Sequence, residues 1–329
     1  MGMKKNDSVS VPRRGGAVFS AFELVCSRPG ITRREASEAL SLSITTVSSA
    51  ADALIDAGLV AARPGVSTGG RRPETLFPAS RPILTIDLSA DRARAYLSDL
   101  SGNESSFFVE SSIPSPGDAS AAVRALAERA SNERASVGDV SFSAVAVLLP
   151  TPDPARIADP GAAFRDGEMK AAIREAAGRC PVFFLNRDAV AASAAMRKSG
   201  VRGSVFFCTA GPDGIAAAVS RNRSLGTVSR LRAPSSGDAA RALLSCRDGK
   251  EAGRLIAGTI RNAVAALSPG AVLIELSDGR FGDEVGRTVR QELGIRPEPD
   301  VFLVFRDPPE VRKTALGVIR RKLVEAAAR

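Results

Sequence analysis

The sequence contains no histidine and no tryptophan, and its one tyrosine is Tyr96. Without histidine there can be no Ser-His-Asp triad, no Cys-His pair, no H-E-x-x-H zinc site and no imidazole general base. Carboxylate, lysine and tyrosine chemistry stay open. The shortage of Trp and Tyr, against 14 Phe, argues against stacking of single-stranded bases as the main binding mode. The four cysteines (Cys26, Cys180, Cys208 and Cys246) are far apart and form no C-x-x-C pair. Neither a zinc cluster nor a disulfide framework is therefore expected, and they read as buried free thiols. No metal and no cofactor are expected. No apolar run reaches the length of a membrane span, and the basic opening "MGMKKNDSVSVPRRGG" lacks the apolar core of a secretory signal. A cytoplasmic protein with no membrane association is the expectation.

What the chain does have is 329 residues, 44 % of them hydrophobic, and a formal charge of +9. That is enough for two or three domains with a real core. The charge suits a polyanionic partner but does not locate it: residues 1–80 hold ten Lys/Arg and seven Asp/Glu, and the excess over the rest of the chain is similar in kind.

The N-terminal eighty residues read as three short helices and a hairpin. "AVFSAFELVCS" (17–27) places Val18, Phe22 and Val25 on one face, with Phe19 and Leu24 beside them, and Pro29-Gly30 stops it. In "TRREASEALSL", Thr32 is followed three residues later by Glu35, the capping-box pattern; Ala36, Ala39 and Leu40 form the expected inward face. "ITTVSSAADALIDAG" follows, with Ser43 as its cap and Gly58 as its left-handed end. Val47, Ala50, Ala51, Leu54 and Ile55 form its inward stripe, leaving Thr45, Thr46, Ser48 and Ser49 near its start, mostly on the other face. Small hydroxyl side chains there let a helix approach a major groove closely and bond phosphates or base edges. "LVAARPGV" and "ETLFPA" read as two strands joined by "STGGRRP". Gly69 and Gly70 give that loop backbone freedom, and Arg71 and Arg72 supply guanidinium groups for phosphate or a narrow minor groove. The expected double-stranded DNA contacts are thus Ser43, Thr45, Thr46, Ser48, Ser49, Thr68, Gly69, Gly70, Arg71 and Arg72. The competing readings are a small three-helix module that binds nothing, a solvated basic hairpin tip, and a structural scaffold whose N-terminal module binds protein.

Beyond residue 80, short apolar strands alternate with amphipathic helices, which makes the body α/β. Three strands are expected in "RPILTIDLSADRARAYLSDLSGNESSFFVESS", then helix, strand, helix, strand and helix through "DAVAASAAMRKSG". A second run of strands and helices ends in "PPEVRKTALGVIRRKLVEAAAR".

The segment "LSITTVSSAADALIDAGLVAARPGVSTGGRRPETLFPA" resembles the DNA-binding segment of ROK-family repressors, in which a hydroxyl-rich recognition helix is followed by AGL, a variable wing and GGRRP. One departure is Ser49, where family members usually carry a basic residue. The order of elements in residues 82–329 resembles the family's two-lobed, actin/hexokinase-like kinase body. The resemblance implies a winged helix-turn-helix at 1–80, lobes at 81–195 and 196–305, and a C-terminal helix at 306–329 packing back on the first lobe. It also implies a homodimer, a DNA operator, and a small-molecule effector, sugar-like or other.

The kinase landmarks of that family are altered here. Its first phosphate loop, D-x-G-x-T, reads "DLSAD", keeping Asp87 but placing Ser89 and Asp91 where glycine and threonine would be. A carboxylate there repels a triphosphate. The strand ending in proline-glycine reads "LLPTPD", with Thr151 for glycine. The catalytic segment reads "PVFFLNRDAV": Asn186 is kept, Arg187 stands at the position of the catalytic Asp, and Asp188 comes one residue late. Arginine cannot be a general base at neutral pH. In the second phosphate loop, "AGPDGIAAAV", Pro212 removes an N–H and Asp213 adds negative charge. The sugar-binding E-I-G-H motif and the Cys-rich zinc motif are absent, and without histidine that zinc site cannot be built. The expectation is a pseudokinase-like effector and dimerisation body with no catalytic residues. Asn186 and Asp188 are its candidate effector contacts, Asn186 being equally readable as a strand-end cap. The alternative is a divergent ROK sugar kinase acting on a hexose or amino sugar with ATP.

Overall fold

The computed structural model describes residues 14–65, 73–89, 92–113, 118–136, 138, 141–150, 166–211, 214–221, 224–225, 229–231, 239–276, 281–294, 300–305 and 308–327. They divide into two compact units: the N-terminal part to Ile83 with Ser98–Glu104 and Gly317–Arg329, and Leu84–Leu97 with Ser105–Leu316.

The smaller unit runs α1 (Arg14–Ser27), β1 (Ile31–Thr32), α2 (Arg33–Leu40), α3 (Ile44–Asp56), β2 (Val60–Pro64) and β3 (Glu74–Pro78). The strands form an antiparallel sheet of order β1-β3-β2, with Ile31 opposite Leu76 and Ala62 also opposite Leu76 on the other side. Three helices and a three-stranded sheet in this order are a winged helix-turn-helix. The capping box is present: the Glu35 N–H donates to the Thr32 hydroxyl, and the Glu35 carboxylate accepts from the Thr32 N–H at 2.8 Å. Ser43 caps α3 by accepting from the Thr46 N–H, and Gly58 (φ +67°) turns the chain out of that helix. Phe22, Val25, Ala36, Val47, Ala50, Ala51, Leu54 and Leu76 fill the core. Two inward stripes differ from the sequence reading. On α1 the buried side is Ala17, Ala21, Phe22, Val25 and Cys26, with Val18 only half-buried. On α2, Ala39 is exposed and Leu40 half-buried, so Ala36 alone is fully inward. Alanine carries too little apolar area to force its own burial. The end of the last helix, α10 (Pro308–Ala327), completes this unit. Arg320 donates to the Leu100 carbonyl from Nε at 2.7 Å and also from Nη2, and pairs with Glu23 at 3.4 Å; Arg321 lies over the Phe19 ring.

The larger unit holds two sheets. The first contains β4 (Ile83–Leu88), β5 (Arg92–Ser98), β6 (Glu104–Ser112), β7 (Ala144–Leu149) and β8 (Val182–Asn186), in the order β6-β5-β4-β7-β8. Helices α4 (Ala119–Ser136) and α5 (Asp166–Ala177) cover a core that includes Ile86, Leu88, Val123, Leu126, Val147, Met169 and Ile173. After α6 (Arg187–Ser199) comes the second sheet, of β9 (Val205–Gly211), β10 (Gly214–Arg221), β11 (Ser224–Leu225), β12 (Ser229–Leu231), β13 (Ala271–Leu276) and β14 (Asp300–Phe305). Its order is β11-β10-β9-β13-β14, with β12 also pairing β10. Numbered from each sheet's own first strand, and leaving out β12, both orders are 3-2-1-4-5. The short strands β11 and β12 and the helix α7 (Ala239–Ser245) had no apolar period long enough to be read from sequence.

One face of the second sheet is covered by α8 (Gly249–Leu267) and α9 (Glu284–Leu293), whose core includes Ile256, Ile260, Val272, Ile274, Val285 and Val289. Those helices touch closely at Gly253, where a Cβ would lie 2.6 Å from that of Thr288. The other face receives α6, through Ala192 and Ala195 on Val205, Phe207 and Leu273.

Candidate nucleic-acid interface

Helix α3 presents the hydroxyl face that its sequence suggested. Ser43, Thr45, Thr46 and Ser49 are exposed and Ser48 is half-buried. The Ser43 hydroxyl lies 2.8 Å from both the Thr45 and Thr46 hydroxyls, so the first turn of α3 is a linked set of donors and acceptors. Ile44 was not singled out from the sequence, yet it stands beside them 48 % exposed. Its position as the first residue after the cap was the available signal. An apolar side chain among hydroxyls offers the kind of surface that meets a thymine methyl.

Arg33 fixes α3 from behind. Its Nη1 donates to the Ser48 carbonyl at 3.1 Å, Nη2 pairs with Asp52 at 2.8 Å, and Nε donates to Glu74 of β3 at 3.0 Å. The Asp52 hydrogen bond is the main reason its guanidinium is held above the ordinary arginine range. One side chain thus ties α2, α3 and the first strand of the hairpin's return. It also neutralises two carboxylates that would otherwise repel a polyanion. At the hairpin's base the Gly65 N–H donates to the Pro73 carbonyl at 2.7 Å, and Arg63 lies over Phe77 at 4.9 Å. Thr68, Gly69, Gly70, Arg71 and Arg72 lie outside the described residues, as do Asp91, Thr151, Pro212 and Asp213.

In the body, the described residues beside those positions are tied by local hydrogen bonds. At the end of β4, Ser89 donates from its N–H and its hydroxyl to the Arg92 carbonyl, at 2.8 and 3.1 Å, which closes the β4–β5 connection tightly. Gly211 and Gly214 are register partners with two residues between them, so the β9–β10 connection is also a minimal hairpin. The Asn186 side chain accepts from the Ala189 N–H at 2.8 Å and caps α6. Arg187 is 5 % exposed and Asp188 3 %. Arg187 donates to the Leu88 carbonyl at 2.9 Å and its guanidinium lies 3.8 Å from the Asp188 carboxylate. The strand end therefore carries a buried cation beside a buried carboxylate. On the sheet face that receives α6, Thr209 donates to the buried Glu275 carboxylate at 2.5 Å.

Burial keeps three of the four thiols protonated. Burial pushes Cys26 and Cys208 up to about 12 and raises Cys180 as well, and all four cysteines are free. Among the described residues there is no cluster of metal-ligating side chains, and no helix is long and apolar enough to cross a membrane.

No protein-family profile matches the sequence, and no curated protein matches it. Solved structures do. A ROK family transcriptional regulator, homolog of the E. coli MLC protein, superposes with a TM-score of 0.67 over 95 % of this chain and 98 % of its own, at 15 % identity. The fold is the ROK fold. A ROK family glucokinase from Streptomyces griseus, solved with glucose and AMPPNP, matches at 0.53, with 16 % identity over 73 % of this chain and 99 % of its own. An inorganic polyphosphate/ATP-glucomannokinase from Arthrobacter sp. strain KM matches at 0.52, with 18 % identity over 73 % of this chain and 98 % of its own. At these identities the likeness is one of architecture: the ROK body is common to all three, and the regulator's likeness extends over almost the whole chain.

Proposed function

We propose that the protein is a DNA-binding transcriptional regulator of the ROK type, a repressor acting as a homodimer, whose kinase-like body has lost catalysis. The single observation that carries this reading is the exposed hydroxyl face of α3, held by Arg33 within a winged helix-turn-helix. The likeness of the ROK regulator over 95 % of the chain, against 73 % for the kinases, supports it. Hydroxyls at 43–49 bond base edges and phosphates, Ile44 packs on a thymine methyl, and Arg71 and Arg72 of the wing supply salt-sensitive phosphate contacts. Two-fold pairing sets two recognition helices roughly 34–36 Å apart, one turn of DNA. The body senses a small molecule or serves only to pair subunits.

Loss of catalysis is supported by the buried Arg187, by the tight β4–β5 turn and by the minimal β9–β10 hairpin. A phosphate cradle needs open backbone N–H groups, and the Ser89 N–H is already spent on Arg92.

The test is fluorescence anisotropy with duplex DNA from the region upstream of the protein's own gene and with random duplex, at two salt concentrations. Selective binding that weakens steeply with salt is expected. No binding to any duplex at low salt would overturn the DNA reading. ATP turnover dependent on a hexose or amino sugar would overturn the non-catalytic reading and favour the kinase alternative.

A further inference from the structure

We propose that the body carries its own ligand: the Arg187 guanidinium is a fixed internal occupant of the crevice at the strand ends of the first sheet, and it holds that part of the body closed without any small molecule. This goes beyond the functional reading, which leaves the body either sensing or only structural, and it does not depend on DNA binding.

In an open α/β sheet a ligand sits outside the carboxyl ends of the strands, where neighbouring strands send the chain to opposite sides. In the first sheet that place lies between β4 and β7, since the chain leaves β4 toward β5 and leaves β7 toward β8. Arg187 follows directly on the last residue of β8, and its Nη1 donates to the carbonyl of Leu88, the last residue of β4, at 2.9 Å. β7 stands between those two strands. The side chain therefore spans the end of β7 and lies across the switch point, and it is only 5 % exposed.

The charge is answered within the chain as well. An isolated buried cation is costly and is held only with acceptors around it. Leu88 supplies a carbonyl, and the buried Asp188 supplies a carboxylate 3.8 Å away. The N-terminus of α6 would also draw an anion. There Asp188 occupies the first turn, and the Asn186 side chain takes the Ala189 N–H at 2.8 Å. Both features that would recruit an anionic ligand are thus engaged by residues of the chain.

Closure at this point fixes more than one strand end. Helix α6 starts at Arg187 and packs along its flank on the second sheet through Ala192 and Ala195. Near its end Arg197 donates to the Thr314 hydroxyl of α10 and lies 3.5 Å from Glu310. Arg187 fastens the start of this helix to β4, so a buried side chain takes the part of an effector that bridges the two sheets.

The experiment is chemical rescue of full-length Arg187→Ala, read as its thermal midpoint in ethylguanidinium chloride against sodium chloride of equal ionic strength. Ethylguanidinium restores the head group and most of the stem that the substitution removes. The midpoint is expected to rise saturably, by about 3 °C or more once the cation is in roughly tenfold excess over its dissociation constant. No rise is expected for the parent chain or for Arg124→Ala, which loses a solvent-exposed arginine paired with Glu175. None is expected either for Arg187→Met with Asp188→Asn, where the space is filled and the charge removed. If Arg187→Ala does not fold alone, refolding with the cation present must restore the native circular dichroism spectrum. No rescue in either form, or an equal rise in Arg124→Ala, would overturn the proposal. The parent's midpoint is also measured with neutral sugars, sugar acids and sugar phosphates, and none is expected to move it. A compound that raises it would show that the body still admits an effector, and would overturn the proposal too.

Discussion

Arg33 and Asp52 meet at 2.8 Å across the helix-turn-helix, and the same guanidinium reaches Ser48 and Glu74. The α2–α3 angle therefore rests on one side chain as well as on the core. Arg33→Ala is expected to destabilise the smaller unit by about 1–3 kcal/mol, since hydrogen bonds to a charged group are lost and two carboxylates remain close together. Urea unfolding of the full chain checks this. In DNA titrations the same variant should weaken binding to all duplexes, because it moves α3 without touching its outer face.

The capping box gives the smaller unit a pH dependence. Hydrogen bonds from the Thr32 N–H and hydroxyl hold the Glu35 carboxyl below its ordinary range. A depressed carboxylate contributes stability above its unfolded pKa of about 4.3, and that contribution is lost as pH falls through the folded value. The stability difference between the parent and Glu35→Gln should be constant above about pH 5 and shrink below about pH 4. A difference that stays flat into acid would show that Glu35 does not titrate against the cap.

Ile44 and the wing act on different terms of DNA binding. Once a preferred duplex is selected, replacing a contacted thymine by deoxyuridine removes one methyl and no hydrogen-bonding group. At one position this should weaken the parent about 4-fold, the cost of one exposed methyl group, and should leave Ile44→Ala unaffected. Arg71→Ala with Arg72→Ala should instead weaken binding to every sequence and flatten the salt slope. Thr46→Ala should change sequence preference; a uniform loss would argue against its place on the base edges.

Much of this architecture was legible because its causes are local. Thr32 and Glu35 are three residues apart, and Ser43 caps the next turn, so both helix starts could be read directly. Three strands were also expected in the stretch that holds β4, β5 and β6. What stayed hidden depends on distant partners. β1 is two residues long and exists because Ile31 finds Leu76. Arg187 looked like a misplaced residue in a motif, and its burial depends on the Leu88 carbonyl ninety-nine positions away. Arg320 gave no signal at all, since its acceptor is the backbone of Leu100. The hydroxyl face of α3 was readable, and the exposure of Ile44 had only its place directly after the cap as a signal.

Arg187 also makes a stability prediction. Arg187→Ala leaves Asp188 buried without that guanidinium and should cost about 3–5 kcal/mol, whereas Arg187→Met with Asp188→Asn should cost clearly less. Urea midpoints of the two variants decide it. Equal losses would mean that the arginine matters by its volume and by its bond to Leu88, not by its charge.

The shared strand order of the two sheets has a consequence for how such a protein comes about. If each sheet is one copy of a repeated unit, the β4–β5 and β9–β10 connections are the same bend, between the first and second strands, occurring once in each half. Both are tight in this chain, one through Ser89 and Arg92 and the other through Gly211 and Gly214. The two halves thus carry equally short bends at matching points. On that reading the match is inherited from one ancestral unit, and a change in the length of one bend alone would mark the halves as diverging.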